Sequence, residues 1–239
     1  MEQAVIFDID DTLYLRKEPY LRTHRAFFGE MLRGEEDELL RLCHFYKEQF
    51  FRERSLGLIS EEDMMANRTI STYRAFGIEL DREEALRFEK QYTRNLETIC
   101  VRPAFAALLE ELSAAGVPLG ILSNGASSRQ REKLRAMGIA HYFPEQYTSV
   151  SGDIDAAKPD IRLFRHLERK SGLSPRQIWF LGDSLETDAA GARQAGWHMI
   201  WLNRRGEPLP EDGALRPDII ADTEEEACAA VRVAAGLSA

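Results

Sequence analysis

Short apolar runs alternate with helical stretches along most of the chain, and this alternation constrains the fold more than any other feature. The strand-like runs cover residues 4–7, 118–122, 178–181 and 199–202, with weaker runs at 147–150 and 218–221. Segments with helical periodicity separate them, at residues 103–115, 127–137, 161–171, 186–195 and 223–235. Continuous apolar runs are typical of strands buried on both faces, and strand–helix alternation is typical of parallel sheets. We therefore predict an α/β fold with a doubly wound (Rossmann-like) parallel sheet core.

The segment between the first two apolar runs interrupts this alternation. It contains no strand-like run and has the periodicity of about four amphipathic helices, two of which open at Ser60 and Asp81, polar caps followed by acidic residues. A helical bundle inserted after the first strand explains the pattern. We predict an α/β core formed by residues 1–16 and 101–239 and a helical cap formed by residues 17–100.

Composition and charge exclude several classes of function. The net charge of −9 argues against a nucleic-acid polymer as partner, because phosphate contacts need a clustered cationic surface. No apolar run approaches the roughly 18–20 residues that span a bilayer, so no membrane partner is expected. The start Met1-Glu2-Gln3 lacks a secretory pattern, and the three cysteines form no CxxC pair. We expect a cytoplasmic protein with reduced thiols.

Polar residues lie where the predicted strands end. In an open α/β sheet the reactive edge is the carboxyl end of the strands, so these side chains are expected to converge. Several carboxylates close together are costly unless a cation neutralises them, and hard oxygen ligands without histidine or cysteine select Mg²⁺. The candidate residues are Asp8, Asp10, Ser123, Asn124, Lys158, Asp183 and Asp188.

The same residues carry a resemblance to a known family. Asp8-Ile9-Asp10-Asp11-Thr12 resembles the DxDx(T/V) signature of the haloacid dehalogenase (HAD) superfamily of phosphohydrolases. Ser123 after a strand, Lys158-Pro159, and the segment 182–188 (GDSLETD) match the second, third and fourth motifs of that family in order. The inserted bundle resembles the type-one cap of the family, and the chain is most similar to its small-metabolite phosphatases and nucleotidases.

The resemblance implies a role for each candidate. Asp8 is expected to be the nucleophile that forms an aspartyl-phosphate, and Asp10 the general acid and base. Mg²⁺ is expected to bind Asp8, the main-chain carbonyl of Asp10 and Asp183, with Asp188 supporting the metal or Lys158. Ser123 and Lys158 are expected to bind the phosphoryl oxygens. Asn124 is a candidate phosphate ligand, with the shaping of the loop as its alternative role, and Asp11 is assigned none.

We therefore predict a Mg²⁺-dependent phosphatase for a small phosphorylated metabolite. Nucleoside monophosphates and sugar phosphates both remain open as substrates, and so do a monomer and a homodimer. A 2-haloacid dehalogenase is the first alternative, although its relatives usually lack an acid at the position of Asp10. A phosphomutase that uses the same aspartyl-phosphate is the second alternative.

Overall fold

The structure is a computed structural model that describes residues 3–210 and 215–237. Residues 1–2, 211–214 and 238–239, which belong to the expected core, lie outside this range. The chain divides into two compact units. One consists of Met1–Leu15 with Ile99–Ala239, and the other is Arg16–Thr98.

In its described residues, the first unit is built on six parallel strands in the order β3-β2-β1-β4-β5-β6. The central strand β1 is wholly buried, as its continuous apolar sequence predicts. The strands are β1 (Ala4–Phe7), β2 (Leu119–Ser123), β3 (Thr148–Val150), β4 (Ile178–Gly182), β5 (His198–Leu202) and β6 (Ile219–Ala221).

Helices flank this sheet. The helices of this unit are α5 (Pro103–Ala114), α6 (Ser127–Ala136), α7 (Ile161–Ser171), α8 (Ala190–Ala195) and α9 (Glu224–Ala234). The core between α7, α8 and the central strands contains Ile6, Phe164, Phe180, Trp197 and Trp201. Because the strands are parallel and helices lie in the successive connections from β1 to β5, the predicted doubly wound α/β core is confirmed.

One predicted helix begins differently. The helical pattern at residues 186–195 becomes a π-helical segment, Leu185–Ala189, followed by the α-helix α8. The Ser184 hydroxyl caps this segment by accepting a hydrogen bond from the Thr187 amide at 3.2 Å. A π-turn holds one more residue than an α-turn, a difference that the apolar periodicity does not reveal.

The second unit is a bundle of four helices. They are α1 (Lys17–Phe28), α2 (Glu36–Ser55), α3 (Glu61–Arg74) and α4 (Arg82–Leu96). Ser60 caps α3, and Asp81 with Glu84 forms a complete capping box at α4, at the two places where the sequence predicts helix starts. Tyr20, Leu39, Tyr73 and Phe88 form the core of the bundle. Among residues 3–210 and 215–237, no helix combines the length and apolar composition needed to cross a bilayer.

Candidate active site

The carboxyl ends of three adjacent strands bring the candidate residues together. Phe7, the last residue of β1, is in register with Ile121 of β2 and with Leu181 of β4. The chain therefore reaches Asp8 beside the positions where β2 ends in Ser123 and β4 ends in Gly182. The Asp8 amide continues the sheet by donating to the Leu181 carbonyl at 2.9 Å. The register of the parallel strands therefore brings these residues together at one edge of the sheet.

A buried ammonium joins two of the carboxylates. Lys158 Nζ lies 2.9 Å from Asp8 Oδ1 and 2.7 Å from Asp188 Oδ1. The side chains of Lys158 and Asp188 are only 3% and 0% exposed. Charges this deep are stable only when they are paired, so the three groups depend on one another.

The electrostatics of this group differ from those of surface residues. Burial raises the pKa of Asp8 above its ordinary value, and the charges of Asp188 and Asp10 raise it further, while Lys158 opposes the rise. Burial alone would lower the pKa of Lys158, but the carboxylates of Asp188 and Asp8 raise it above its ordinary value of 10.5. The two carboxylates therefore favour the charged form of Lys158, and the ionised form of Asp8 is held at a cost.

The acidic residues fit a divalent cation. Asp8, Asp183 and Asp188 each offer one carboxylate oxygen, and these three oxygens lie within 4.8 Å of one another. Three negative charges against the single charge of Lys158 leave an excess of two. Hard oxygen donors with that excess charge are the environment that Mg²⁺ prefers. The Asp10 side chain is not part of this group, and its expected metal contact is through the main-chain carbonyl.

The Asp183 backbone and the Asp188 side chain are held by contacts that the sequence does not reveal. Trp201 Nε1 donates to the Asp183 carbonyl at 2.9 Å, and the Ser184 amide donates to Asp188 Oδ2 at 3.1 Å. Gly182 lies directly against Asp188, since a Cβ at that position would come within 2.3 Å of Asp188 Oδ2. The glycine of the fourth motif leaves the space that this buried carboxylate occupies.

Asn124 holds the main chain of Lys158. Its Oδ1 accepts from the Lys158 amide at 2.7 Å, and its Nδ2 donates to the Lys158 carbonyl at 3.1 Å. The Lys158–Pro159 peptide bond is cis. Because both ends of the Asn124 carboxamide bind this loop, the geometry favours the loop-shaping role over phosphate binding. Ser123, the neighbouring residue, is 1% exposed and its hydroxyl accepts from Gln130 Nε2 at 2.7 Å.

Asp10 is held by residues that the sequence analysis missed. Lys133 Nζ lies 2.6 Å from Asp10 Oδ1, so the site contains a second ammonium where the sequence led us to expect one. Gln130, Lys133 and Leu134 lie on α6, and Met137 follows its last residue. The four residues have the i, i+3, i+4, i+7 spacing of a buried stripe. Two polar residues on such a stripe are the sequence signal that could have identified them.

Sequence comparisons agree with this geometry. The family model of haloacid dehalogenase-like hydrolases matches residues 2–196. The chain is 34% identical to a phosphoserine phosphatase of Thermus thermophilus over 137 residues, which cover 57% of this chain and 53% of that protein. It is 31% identical to a glyceraldehyde 3-phosphate phosphatase of Methanothermobacter thermautotrophicus over 85% of this chain and 86% of the relative. It is also 26% identical to an (S)-2-haloacid dehalogenase of Pseudomonas putida over 93% and 94% of the two chains.

A solved structure has the same fold. The HAD-hydrolase YfnB of Bacillus subtilis, crystallised bound to magnesium, superposes with a TM-score of 0.72 at 23% identity over 94% of this chain and 96% of that one. Because the family model covers most of the chain and a relative is 31% identical along 85% of it, this protein belongs to the HAD-like hydrolase family.

Proposed function

We propose that this hydrolase is a Mg²⁺-dependent phosphatase that cleaves a small phosphate monoester through an aspartyl-phosphate on Asp8. One observation carries the proposal: a buried Asp8 paired with Lys158 at 2.9 Å is followed two residues later by a second carboxyl, that of Asp10. Hydrolysis of a phosphate monoester requires a nucleophile and a proton donor close together, and Asp8 and Asp10 supply both groups at one edge of the sheet.

The residues divide the reaction into two steps. An Asp8 carboxylate oxygen attacks phosphorus, the bond from phosphorus to the leaving oxygen breaks, and Asp10 gives that oxygen its proton. Asp10, now ionised, then removes a proton from the water that attacks the phosphorus of the aspartyl-phosphate, which releases inorganic phosphate and restores Asp8. Lys158 and Ser123 bind the phosphoryl oxygens and stabilise the charge that spreads over them.

The acidic group supports the proposed cofactor. Asp8, Asp183 and Asp188 would hold Mg²⁺, assisted by the main-chain carbonyl of Asp10. When bound, Mg²⁺ supplies positive charge that offsets the repulsion between these carboxylates and an anionic substrate. Lys158 alone leaves the three carboxylates with an excess of two negative charges, which would repel a phosphate dianion.

A 2-haloacid dehalogenase is the second candidate, because one relative 26% identical along nearly the whole chain carries that name. Displacement of halide from carbon also uses a carboxylate nucleophile, but a halide leaves without a proton. A general acid at the position of Asp10 therefore has no role in dehalogenation. The presence of Asp10 and of the acidic group around Lys158 favours the phosphatase.

The names of the phosphatase relatives support a class of substrate. Two of them are named for phosphoserine and for glyceraldehyde 3-phosphate, which are small phosphorylated metabolites. We propose a substrate of this kind, and we keep nucleoside monophosphates and sugar phosphates among the candidates. The panel of substrates that distinguishes the candidates contains phosphoserine, glyceraldehyde 3-phosphate, nucleoside monophosphates and sugar phosphates.

The test combines substrates, metal and one variant. Purified protein is assayed for phosphate release from p-nitrophenyl phosphate and the panel, with Mg²⁺ and with chelator, and for chloride release from 2-chloropropionate. We expect phosphate release only with the metal and no chloride release. Asp8→Asn should abolish turnover, whereas Asp222→Asn, an exposed position of the same unit, should leave it unchanged. Equal turnover in chelator, or an active Asp8→Asn variant, would contradict the proposal.

A further inference from the structure

The Asp10 carboxylate accepts hydrogen bonds on both oxygens from three side chains. Lys133 Nζ lies 2.6 Å from Oδ1 and 2.8 Å from Oδ2. Tyr14 donates its hydroxyl to Oδ1 at 2.5 Å, and Gln130 Nε2 donates to Oδ2 at 3.1 Å. Donors on both oxygens set the orientation of the carboxylate as well as its position.

Lys133 is a buried cation with a defined environment. Its side chain is 9% exposed, and its ammonium lies 5.6 Å from the centroid of the Tyr14 ring. The ammonium therefore lies near both the Asp10 carboxylate and an aromatic face, two partners that stabilise a desolvated positive charge. The same tyrosine supplies that ring and a hydroxyl donor to Asp10, so Asp10, Tyr14 and Lys133 form one cluster of side chains.

Gln130 connects this cluster to Ser123, one of the residues expected to bind phosphate. Its Nε2 lies 2.7 Å from Ser123 Oγ and 3.2 Å from the Asn124 carbonyl, in addition to its contact with Asp10. An amide nitrogen carries two hydrogens, so three acceptors compete for them. When Asp10 turns toward a substrate, both hydrogens can pass to Ser123 and Asn124, and no buried donor is left unsatisfied.

The geometry points to Lys133, assisted by Gln130, as a positioning residue that holds Asp10 for its proton transfers. This inference rests on the proposed phosphatase function, since it gives Lys133 a role only through the acid–base role of Asp10. Lys133 is placed to fix the orientation of that carboxylate, and the nucleophile Asp8 has its own ammonium in Lys158. The two reacting carboxylates therefore pair with different lysines, Asp8 with Lys158 and Asp10 with Lys133.

The leaving group provides the readout. An alkyl oxygen must be protonated as it leaves, whereas p-nitrophenolate leaves as the anion, so only the alkyl ester depends strongly on a correctly placed Asp10. We expect Lys133→Met to lower kcat for the best alkyl phosphate of the panel about 100-fold and kcat for p-nitrophenyl phosphate less than about 10-fold. A structural defect alone would lower both rates by the same factor.

Two variants serve as controls. Arg135→Met removes the same charge from an exposed position of the same helix and should change both rates less than about twofold. Lys133→Arg keeps a cationic donor and should recover much of the alkyl phosphate rate. If Lys133→Met does not fold, Gln130→Met is tested instead, since it removes the amide donor without adding a charge. It should lower the rate with the alkyl phosphate selectively, by a smaller factor.

A double-variant experiment completes the test. In an Asp10→Asn background, Lys133→Met should lower the p-nitrophenyl phosphate rate no further than about twofold, because a residue that acts through Asp10 has nothing left to position. An equal loss in both backgrounds, or equal loss on both substrates, would overturn the inference while the phosphatase proposal stands. A wild-type protein without Mg²⁺-dependent phosphatase activity would overturn both.

Discussion

Lys158 Nζ lies 2.7 Å from Asp188 Oδ1, and both side chains are almost completely removed from solvent. Replacing Lys158 by methionine keeps most of the side-chain volume but leaves Asp188 and Asp8 without their common cation. Removal of one partner from a buried ion pair costs about 3–5 kcal/mol. We expect Lys158→Met to lower the free energy of unfolding by that amount in urea denaturation and to abolish turnover.

Lys170→Met is the matched control for this change. Lys170 Nζ also lies 2.7 Å from a carboxylate, Glu145 Oε1, but the two side chains are 25% and 63% exposed. Solvent screening limits exposed pairs to about 1 kcal/mol or less. Equal losses of stability in the two variants would show that the depth of the Lys158 pair has no energetic consequence.

The raised pKa of Asp8 predicts a pH-dependent gain of stability in Asp8→Asn. The folded protein holds the Asp8 proton more tightly than the unfolded chain, whose pKa is near the ordinary value of 3.8. Ionisation of Asp8 therefore lowers the stability of the wild type as the pH rises from 3.8 to the pKa of the folded state, and the loss persists above it. Asparagine has no such proton to lose.

We expect Asp8→Asn to be more stable than the wild type in chelator at neutral pH, because the variant avoids the cost of ionising a buried carboxyl group. The difference should shrink as the pH falls toward 4, and Mg²⁺ should reduce it by stabilising the wild type. Unfolding in urea between pH 4 and 8 measures it. A variant less stable than the wild type at pH 8 would mean that the ion pair with Lys158 outweighs the cost of burying Asp8.

The sequence was sufficient for the parts of the site that depend on strand order. Asp8, Ser123 and Asp183 each lie at the end of a continuous apolar run, and parallel strands necessarily bring such ends to one edge. The burial of Asp188 depends instead on a π-helical start and on the missing Cβ of Gly182, which are properties of packing. Local patterns do not encode either feature. The family resemblance nevertheless implied that Asp188 supports the metal or Lys158, and Asp188 Oδ1 lies 2.7 Å from Lys158 Nζ.

The contacts of the Asp10 side chain could not be predicted from the sequence, for a related reason. Lys133 lies 123 positions from Asp10 in the sequence and on a helix, and the contact depends on which face of α6 meets the sheet. A lysine on a helix is most often solvated, so the identity of the residue argues against its burial. Only the stripe that it shares with Leu134 indicates otherwise.

Asp11 provides a test of a residue without a catalytic role. Its φ is +56°, in the left-handed region, and Arg204 donates to its main-chain carbonyl while Arg205 lies 3.6 Å from its carboxylate. Glycine would remove a backbone cost of roughly 1 kcal/mol. It would also lose a long, partly exposed ion pair and increase the entropy of the unfolded chain. We expect these effects to offset one another.

Asp11→Gly should therefore keep kcat within about twofold of the wild type and the free energy of unfolding within about 1 kcal/mol. Phosphate release and urea unfolding measure the two quantities. A fall of tenfold or more in kcat with an intact fold would assign the Asp11 carboxylate a part in the reaction.

Gly182 tests the link between the sheet and the metal. A Cβ at this position would lie 2.3 Å from Asp188 Oδ2 and 2.6 Å from its Cγ, closer than any non-bonded contact permits. Alanine therefore displaces the Asp188 carboxylate, which shares its group of oxygens with Asp8 and Asp183. We expect Gly182→Ala to lower kcat about 100-fold and to raise the Mg²⁺ concentration for half-maximal activity at least about tenfold, as loss of metal-supporting groups does.

Gly120→Ala separates this effect from general damage to the sheet. Its Cβ would clash with the Tyr147 carbonyl at 2.2 Å and with Ile6 Cδ1 at 2.6 Å, within the packed part of β2. Both variants should lose stability through overpacking, by about 1–3 kcal/mol. Only Gly182→Ala should change the Mg²⁺ dependence, because only its clash falls on a carboxylate of the acidic group. A Gly182→Ala protein with the wild-type Mg²⁺ curve would remove Asp188 from the proposed metal site and leave it as the partner of Lys158 alone.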